Sequence, residues 1–269
     1  RDRVKQAACR ANVEIGQLDP EIGKYIDAAC QEIIDGKLHD QFVVGVIQGG
    51  AGTSSNMNAN EVIANRALEL AGHKKGEYQY ISPNDHVNMA QSTNDAYPSS
   101  VKIGIVHSMQ NLVAEYRLLQ DAFLKKSVEF SHVLKVGRTQ MQDAVPMTLG
   151  QEFHGWATTI SEDIDRLIEV QKLVLELNLG GTAIGTGINA HPDYSAAVVP
   201  HLRKITGRDD IVGASDLIEA TSDTGVFMSV SSVMKRAAMK LSKICNDLRL
   251  LSSCLLYTSL SGLARRTVT

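Results

Sequence analysis

The chain has 269 residues, 43% of them hydrophobic and 21% charged, with a net charge of −3. That length allows one or two domains with a substantial core. The charge supplies no basic face of the kind nucleic acid requires, and no apolar run has the length of a membrane span or the pattern of a signal peptide. The expectation is a cytoplasmic protein with neither nucleic acid nor membrane as a partner.

Aromatic residues make up only 5%, with a single Trp, so the core is expected to rest on aliphatic side chains, as in a helical bundle. Cys9, Cys30, Cys245 and Cys254 have no CxxC spacing and no nearby histidine pattern. They read as small buried hydrophobes in a reducing compartment. No metal or cofactor site is read from the sequence.

Residues 3–18 and 20–36 predict two short amphipathic helices. Asp19 before Pro20 fits an N-cap followed by proline at the first helical position, and Gly36 fits a C-terminal stop. Residues 42–48 read as extended or loop. The run Gly49-Gly50-Ala51-Gly52-Thr53-Ser54-Ser55-Asn56-Met57-Asn58 lacks the lysine of a phosphate loop and the surroundings of a dinucleotide fold. It leaves two readings: a turn before a helix over 57–71 ending at Gly72, or backbone that approaches a ligand, with the Thr53 hydroxyl on offer.

Residues 83–98 (Pro-Asn-Asp-His-Val-Asn-Met-Ala-Gln-Ser-Thr-Asn-Asp-Ala-Tyr-Pro) are dense in short hydrogen-bonding side chains and hold no Lys or Arg. Such a stretch is poor helix material, and before a helix it is either a cap or a recognition site. Three long helices are predicted beyond it, over 99–130, 150–178 and 216–253, from apolar residues at steps of three and four, with no proline inside any of them. Helices near 30 residues imply an elongated bundle, all-α in class, whose apolar stripes need further helices or further subunits to cover them. Two connecting loops, 135–146 and 180–189, repeat the Thr, Gln and Asn chemistry of the opening stretch. From Cys254 the periodicity lapses and acidic residues disappear.

Four of these stretches carry a resemblance. Gly49-Gly-Ala-Gly-Thr-Ser-Ser-Asn-Met-Asn58, Gln91-Ser-Thr-Asn-Asp95, Gly137-Arg-Thr-Gln-Met-Gln-Asp143 and Gly181-Thr-Ala-Ile-Gly-Thr-Gly-Ile-Asn189, in this order, resemble the aspartase/fumarase superfamily over about residues 1–253. Ser92-Thr93-Asn94 and Arg138-Thr139-Gln140 stand where the class II fumarase branch usually has Ser-Ser-Asn and Arg-Thr-His. Together with Gly76–Tyr80 and Lys243–Ser253, they are closer to the ammonia-lyase branch.

The resemblance implies reversible anti-elimination of ammonia from L-aspartate to give fumarate, through an enediolate whose charge grows on one carboxylate. It assigns that carboxylate to Thr53, Ser92 and Thr93, the ammonium to Asn94, and the α-carboxylate and amino group to Thr139 and Gln140. It implies a homotetramer with sites built from three subunits, and a smaller, mostly helical domain over 1–92 before a long-helix domain over 93–253. His86 reads as structural, because the family's base is a serine on a Gly-Ser-Ser-x-Met-Pro-x-Lys-x-Asn loop. No such pattern occurs here, so no catalytic base is assigned. The chain is accordingly expected to be a gene fragment, with residues 254–269 not native to the family, a point the parent locus would settle. The alternatives are a class II fumarate hydratase or a non-catalytic helical assembly protein.

Overall fold

A computed structural model describes residues 2–45, 47, 48 and 52–253. The tail from Cys254 and the Gly49–Ala51 part of the glycine-rich motif lie outside the described residues. The chain is predominantly helical, as its composition predicted, and it divides into two compact units. Among the described residues no helix is long and apolar enough to cross a membrane.

The first unit takes residues 1–108 and 172–225. It opens with α1 (Asp2–Glu14) and α2 (Pro20–Ile34). The Asp19 carboxylate accepts from the Glu21 N–H at 2.7 Å with Pro20 behind it, the expected cap. After α2 the chain turns at Gly36, where the Gly36 and Lys37 N–H groups return to the Ile33 and Glu32 carbonyls at 3.0 Å each, a Schellman stop. Helix α3 (Thr53–Leu70) packs with α1 and α2 around Ile26, Ile33, Ile63, Leu68, Ile81 and Val87, an aliphatic core as expected.

Three predictions need correction in this unit. Helix α3 begins at Thr53 rather than 57, because the Gln48 side chain caps it: Gln48 Oε1 accepts from the Ser55 N–H at 3.2 Å. The polar residues of its first turn were therefore helix rather than loop.

Helix α4 (Thr93–Glu129) likewise starts six residues before the predicted 99, with Pro98 inside it. Proline at that position leaves the Asn94 carbonyl without its helical N–H. The Asn178 Nδ2 group supplies the missing donor at 3.0 Å.

The predicted single helix over 216–253 is two, α7 (Leu217–Ser222) and α8 (Gly225–Leu251). Asp216 caps α7 through the Ile218 and Glu219 N–H groups. Asp223 then leaves the helix with extended backbone and accepts from the Gly225 N–H at 3.1 Å, an Asx turn that the apolar stripe does not register. The unit also contains α6 (Tyr194–Thr206), which has no counterpart among the predicted elements.

The second unit takes, among the described residues, 109–171 and 226–253. Its buried stripes match the predicted ones at Met109, Tyr116 and Phe123 on α4 and at Val230, Ala237 and Ile244 on α8. Helix α5 (Leu149–Val174) stops four residues short of the predicted 178, and Leu177 is instead in the short strand β3 (Glu176–Leu177) of the first unit, paired with β4 (Val212–Gly213). An aromatic cluster lies in this second unit: Phe153 packs edge-on to Trp156 at 4.8 Å, with Phe123 and Phe130 alongside.

Asp163, 1% exposed on α5, is faced by Arg236 and Lys240 of α8 at 3.4 and 3.3 Å. Cys9 and Cys30 are buried as expected, but Cys245 is exposed, because on α8 it follows the buried Ile244 and points away from the stripe.

The 135–146 loop is a further correction. It is an antiparallel hairpin of β1 (Leu134–Thr139) and β2 (Gln142–Thr148). Gln140 and Met141 form its two-residue turn with φ of 52° and 62°, the double left-handed geometry that favours Asn-Gly.

Candidate active site

In the first unit the starts of α3 and α4 meet. Asn56, in the first turn of α3, donates through Nδ2 to Thr93 Oγ1 at 3.2 Å. The Tyr97 ring of α4 lies over Gly52, where φ is 87° and a Cβ would sit 2.5 Å from the ring. A side chain at position 52 is thus barred by both backbone angle and space. Two helix N-termini, each with partial positive charge, are held side by side, and Thr53 and Thr93 are their first residues.

The start of α4 is a capping box. The Ser92 Oγ atom accepts from the Asn94 N–H at 3.3 Å, while Asp95 Oδ1 accepts from the Ser92 N–H at 2.9 Å. The cap reading of this stretch therefore holds. The box also leaves groups for other work. Ser92 Oγ and Thr93 Oγ1 each accept a hydrogen bond from within the protein, which leaves their own hydrogens to donate outward. Asn94 Nδ2 donates to the Ala183 carbonyl at 2.7 Å, so its Oδ1 is the free end and acts as an acceptor. Two hydroxyl donors beside a fixed amide acceptor suit a ligand carrying both a carboxylate and an ammonium. The His86 Nδ1 atom accepts from the Ser82 N–H at 2.8 Å.

Asp95 is the residue that sequence reasoning missed. It is fully buried. Beyond the capping box, its Oδ2 accepts from the N–H groups of Gly180 and Thr182 at 3.2 and 3.0 Å. One carboxylate thus ties Ser92–Asn94 to the 180–189 loop. Thr182 is held there at φ 56°, an uncommon conformation for a β-branched residue. The available signal was the Ser-x-x-Asp spacing of a capping box.

Burial pushes Asp95 up to about 6, against the downward pull of these three N–H groups and of Lys5. Lys5 on α1, 2% exposed, donates to Asn88 Oδ1 at 2.9 Å. Burial pushes it down to about 7, against the field of Asp95.

These shifts fix a pH dependence. The unfolded lysine keeps its proton to 10.5 while the folded one loses it near 7, so the unfolded state binds more protons between those values. Lys5 then contributes stability that rises with pH from about 7 to 10.5 and is lost as pH falls back through 7. Asp95, raised from 3.8 to about 6, contributes stability that falls over that lower window as pH rises. Urea denaturation of wild type and Lys5→Met at pH 6.5, 8 and 9.5 is expected to show the wild type gaining on the variant as pH rises. A constant difference would contradict it.

A family model described as Lyase matches residues 1–259. The chain belongs to the aspartase/fumarase superfamily of lyases. It is 59% identical over 251 residues to an aspartate ammonia-lyase of Helicobacter pylori, covering 93% of this chain and 53% of that protein. It is 61% identical over the same length to an aspartate ammonia-lyase of Pseudomonas fluorescens, with 93% and 52% covered. Among solved structures, a fumarate lyase:delta crystallin from Brucella melitensis bound to cobalt superposes with a TM-score of 0.92 at 54% identity, covering 94% of this chain and 55% of that one. A class II fumarase from Schistosoma mansoni gives 0.89 at 31% identity, with 94% and 56% covered. The chain spans about half the length of the curated relatives it matches.

For a member of this superfamily, the six residues singled out in the sequence divide between the units. Thr53, Ser92, Thr93 and Asn94 lie at the paired helix starts of the first. Thr139 and Gln140 are exposed on the hairpin of the second, at the end of β1 and in its strained turn. Among the described residues no cluster of His, Cys, Asp or Glu has the makings of a metal site.

Proposed function

We propose that this chain carries the carboxylate- and ammonium-binding face of an ammonia-lyase that converts L-aspartate to fumarate and ammonia. Loss of the Cβ proton leaves a dianionic aci-carboxylate, and stabilising it needs donors aimed where charge develops. Thr53, Ser92 and Thr93 take that carboxylate, and two helix N-termini add to its field. Asn94 Oδ1 receives the departing ammonium. Thr139 and Gln140 take the α-carboxylate and amino group, in a homotetramer whose sites combine loops of several subunits. No residue of this chain is assigned as the base. We also propose the division into a domain over 1–92 and a long-helix domain over 93–253.

The observation that carries this reading is the fixed direction of the Asn94 amide. With Nδ2 committed to Ala183, the group facing the ligand is an acceptor, which suits an ammonium. Assaying the full-length protein at 240 nm with L-aspartate and malate as rival substrates tests it. Fumarate from aspartate is expected. Fumarate from malate alone would make the protein a hydratase, and none from either would favour a non-catalytic assembly role.

A further inference from the structure

We propose that Asn56 and Asn88 are positioning residues that set the direction of the Thr93 hydroxyl, working behind the binding face. The inference rests on the reading of that face as a dicarboxylate site, and it concerns a question that reading leaves open. A hydroxyl both donates and accepts, so something must decide which it does toward the ligand.

The decision starts at Asn88, whose Oδ1 accepts from Lys5 Nζ at 2.9 Å and whose direction is set by the Gln91 carbonyl, a group that can only accept. The other end of the same amide, Asn88 Nδ2, donates to the Gln91 carbonyl at 3.2 Å. Both ends are committed, so turning Asn88 over would set its Oδ1 against the Gln91 carbonyl and its NH2 against the groups that now donate to it. Its Oδ1 also accepts from Asn56 Nδ2 at 3.2 Å, which fixes Asn56 in turn. Asn56 Nδ2 then reaches Thr93 Oγ1, also at 3.2 Å.

An amide nitrogen has no lone pair to offer a hydroxyl hydrogen. Thr93 must therefore accept from behind, and its own hydrogen is left to the front. Asn56 is 3% exposed, so water does not compete for these bonds. The donor is thus oriented before any ligand arrives, the condition under which it stabilises developing charge most.

A double-mutant cycle in the full-length protein tests the relay, with aspartate turnover as the readout and circular dichroism as a check of folding. Thr93→Val is expected to lower kcat/KM about 100-fold, and Asn56→Leu about tenfold. If Asn56 acts through Thr93, adding Asn56→Leu to Thr93→Val costs less than about twofold more. Losses that multiply to about 1000-fold in the double variant would overturn the relay.

Should Asn56→Leu fail to fold, Asn56→Asp keeps the shape but draws the Thr93 hydrogen inward. Its loss is expected to be larger with Thr93 present than in the Thr93→Val background, and equal losses would overturn the inference. Repulsion between the new charge and the ligand acts in both backgrounds and cancels. An active wild type with a multiplicative cycle removes only the relay, whereas a wild type inactive on aspartate removes the reading beneath it as well.

Discussion

Replacing Asp95 by leucine is expected to destabilise the first unit by about 3–5 kcal/mol, the usual cost of breaking a buried charged network by removing one partner. The side chains are similar in size, so the loss comes from polarity. Three backbone N–H groups, those of Ser92, Gly180 and Thr182, lose their acceptor in a place water does not reach, and each orphaned donor costs about 1–3 kcal/mol. Lys5 is left charged or is driven to give up its proton. Asparagine should not rescue the change, since its NH2 would meet at least one of the same donors head-on. Urea denaturation followed by circular dichroism measures the effect, and a loss under about 1 kcal/mol, the size of one ordinary hydrogen bond, would mean the clasp is not structural.

Thr93→Val should have the largest effect on activity with the least effect on stability. The two side chains share a shape and both are β-branched, and Thr93 is only partly buried at the first position of α4. The Asn56 Nδ2 group keeps its bond to Asn88 Oδ1 and gives up only the one to Thr93, a loss of about 1 kcal/mol. What disappears is one donor aimed at a carboxylate whose charge grows in the transition state. Such a loss typically costs about 10²–10³ in rate and is expected in kcat more than in KM. A melting temperature within about 4 °C of wild type is expected beside it. A variant that melts much earlier yet keeps its rate when folded would reverse the assignment.

These two residues show how far the sequence could be read. The hydroxyls and amides of Gln91–Asp95 were visible as a cap or a binding stretch, and the structure makes them a cap with groups left over. Asp95 escaped notice because its role depends on Gly180 and Thr182, some 85 residues away, a distance no local pattern spans. Apolar stripes on α4 and α8 were legible because helical burial repeats every three to four residues.

The starts of α3, α4 and α8 were not legible, because they are set by single side-chain bonds: Gln48 to Ser55, Asn178 to Asn94, and Asp223 to Gly225. The 134–148 hairpin was hidden for a different reason. Most of its strand residues are exposed, so no alternation marks them, and its turn uses Gln140-Met141 where Asn-Gly is the recognisable signal. That strain sits at a position assigned to the substrate, in keeping with the tendency of strained backbone to gather at functional sites.

In the proposed site Ser92 and Thr93 donate to one carboxylate while Asn94 accepts from the amino group. A crystal structure of the full-length protein with a bound, unreactive four-carbon amino dicarboxylate would show these contacts. One carboxylate is expected within about 3 Å of Ser92 Oγ and Thr93 Oγ1, with the ammonium against Asn94 Oδ1 and the Asn94 to Ala183 bond intact. A ligand bound with its carboxylate against Asn94, or away from these three residues altogether, would contradict it.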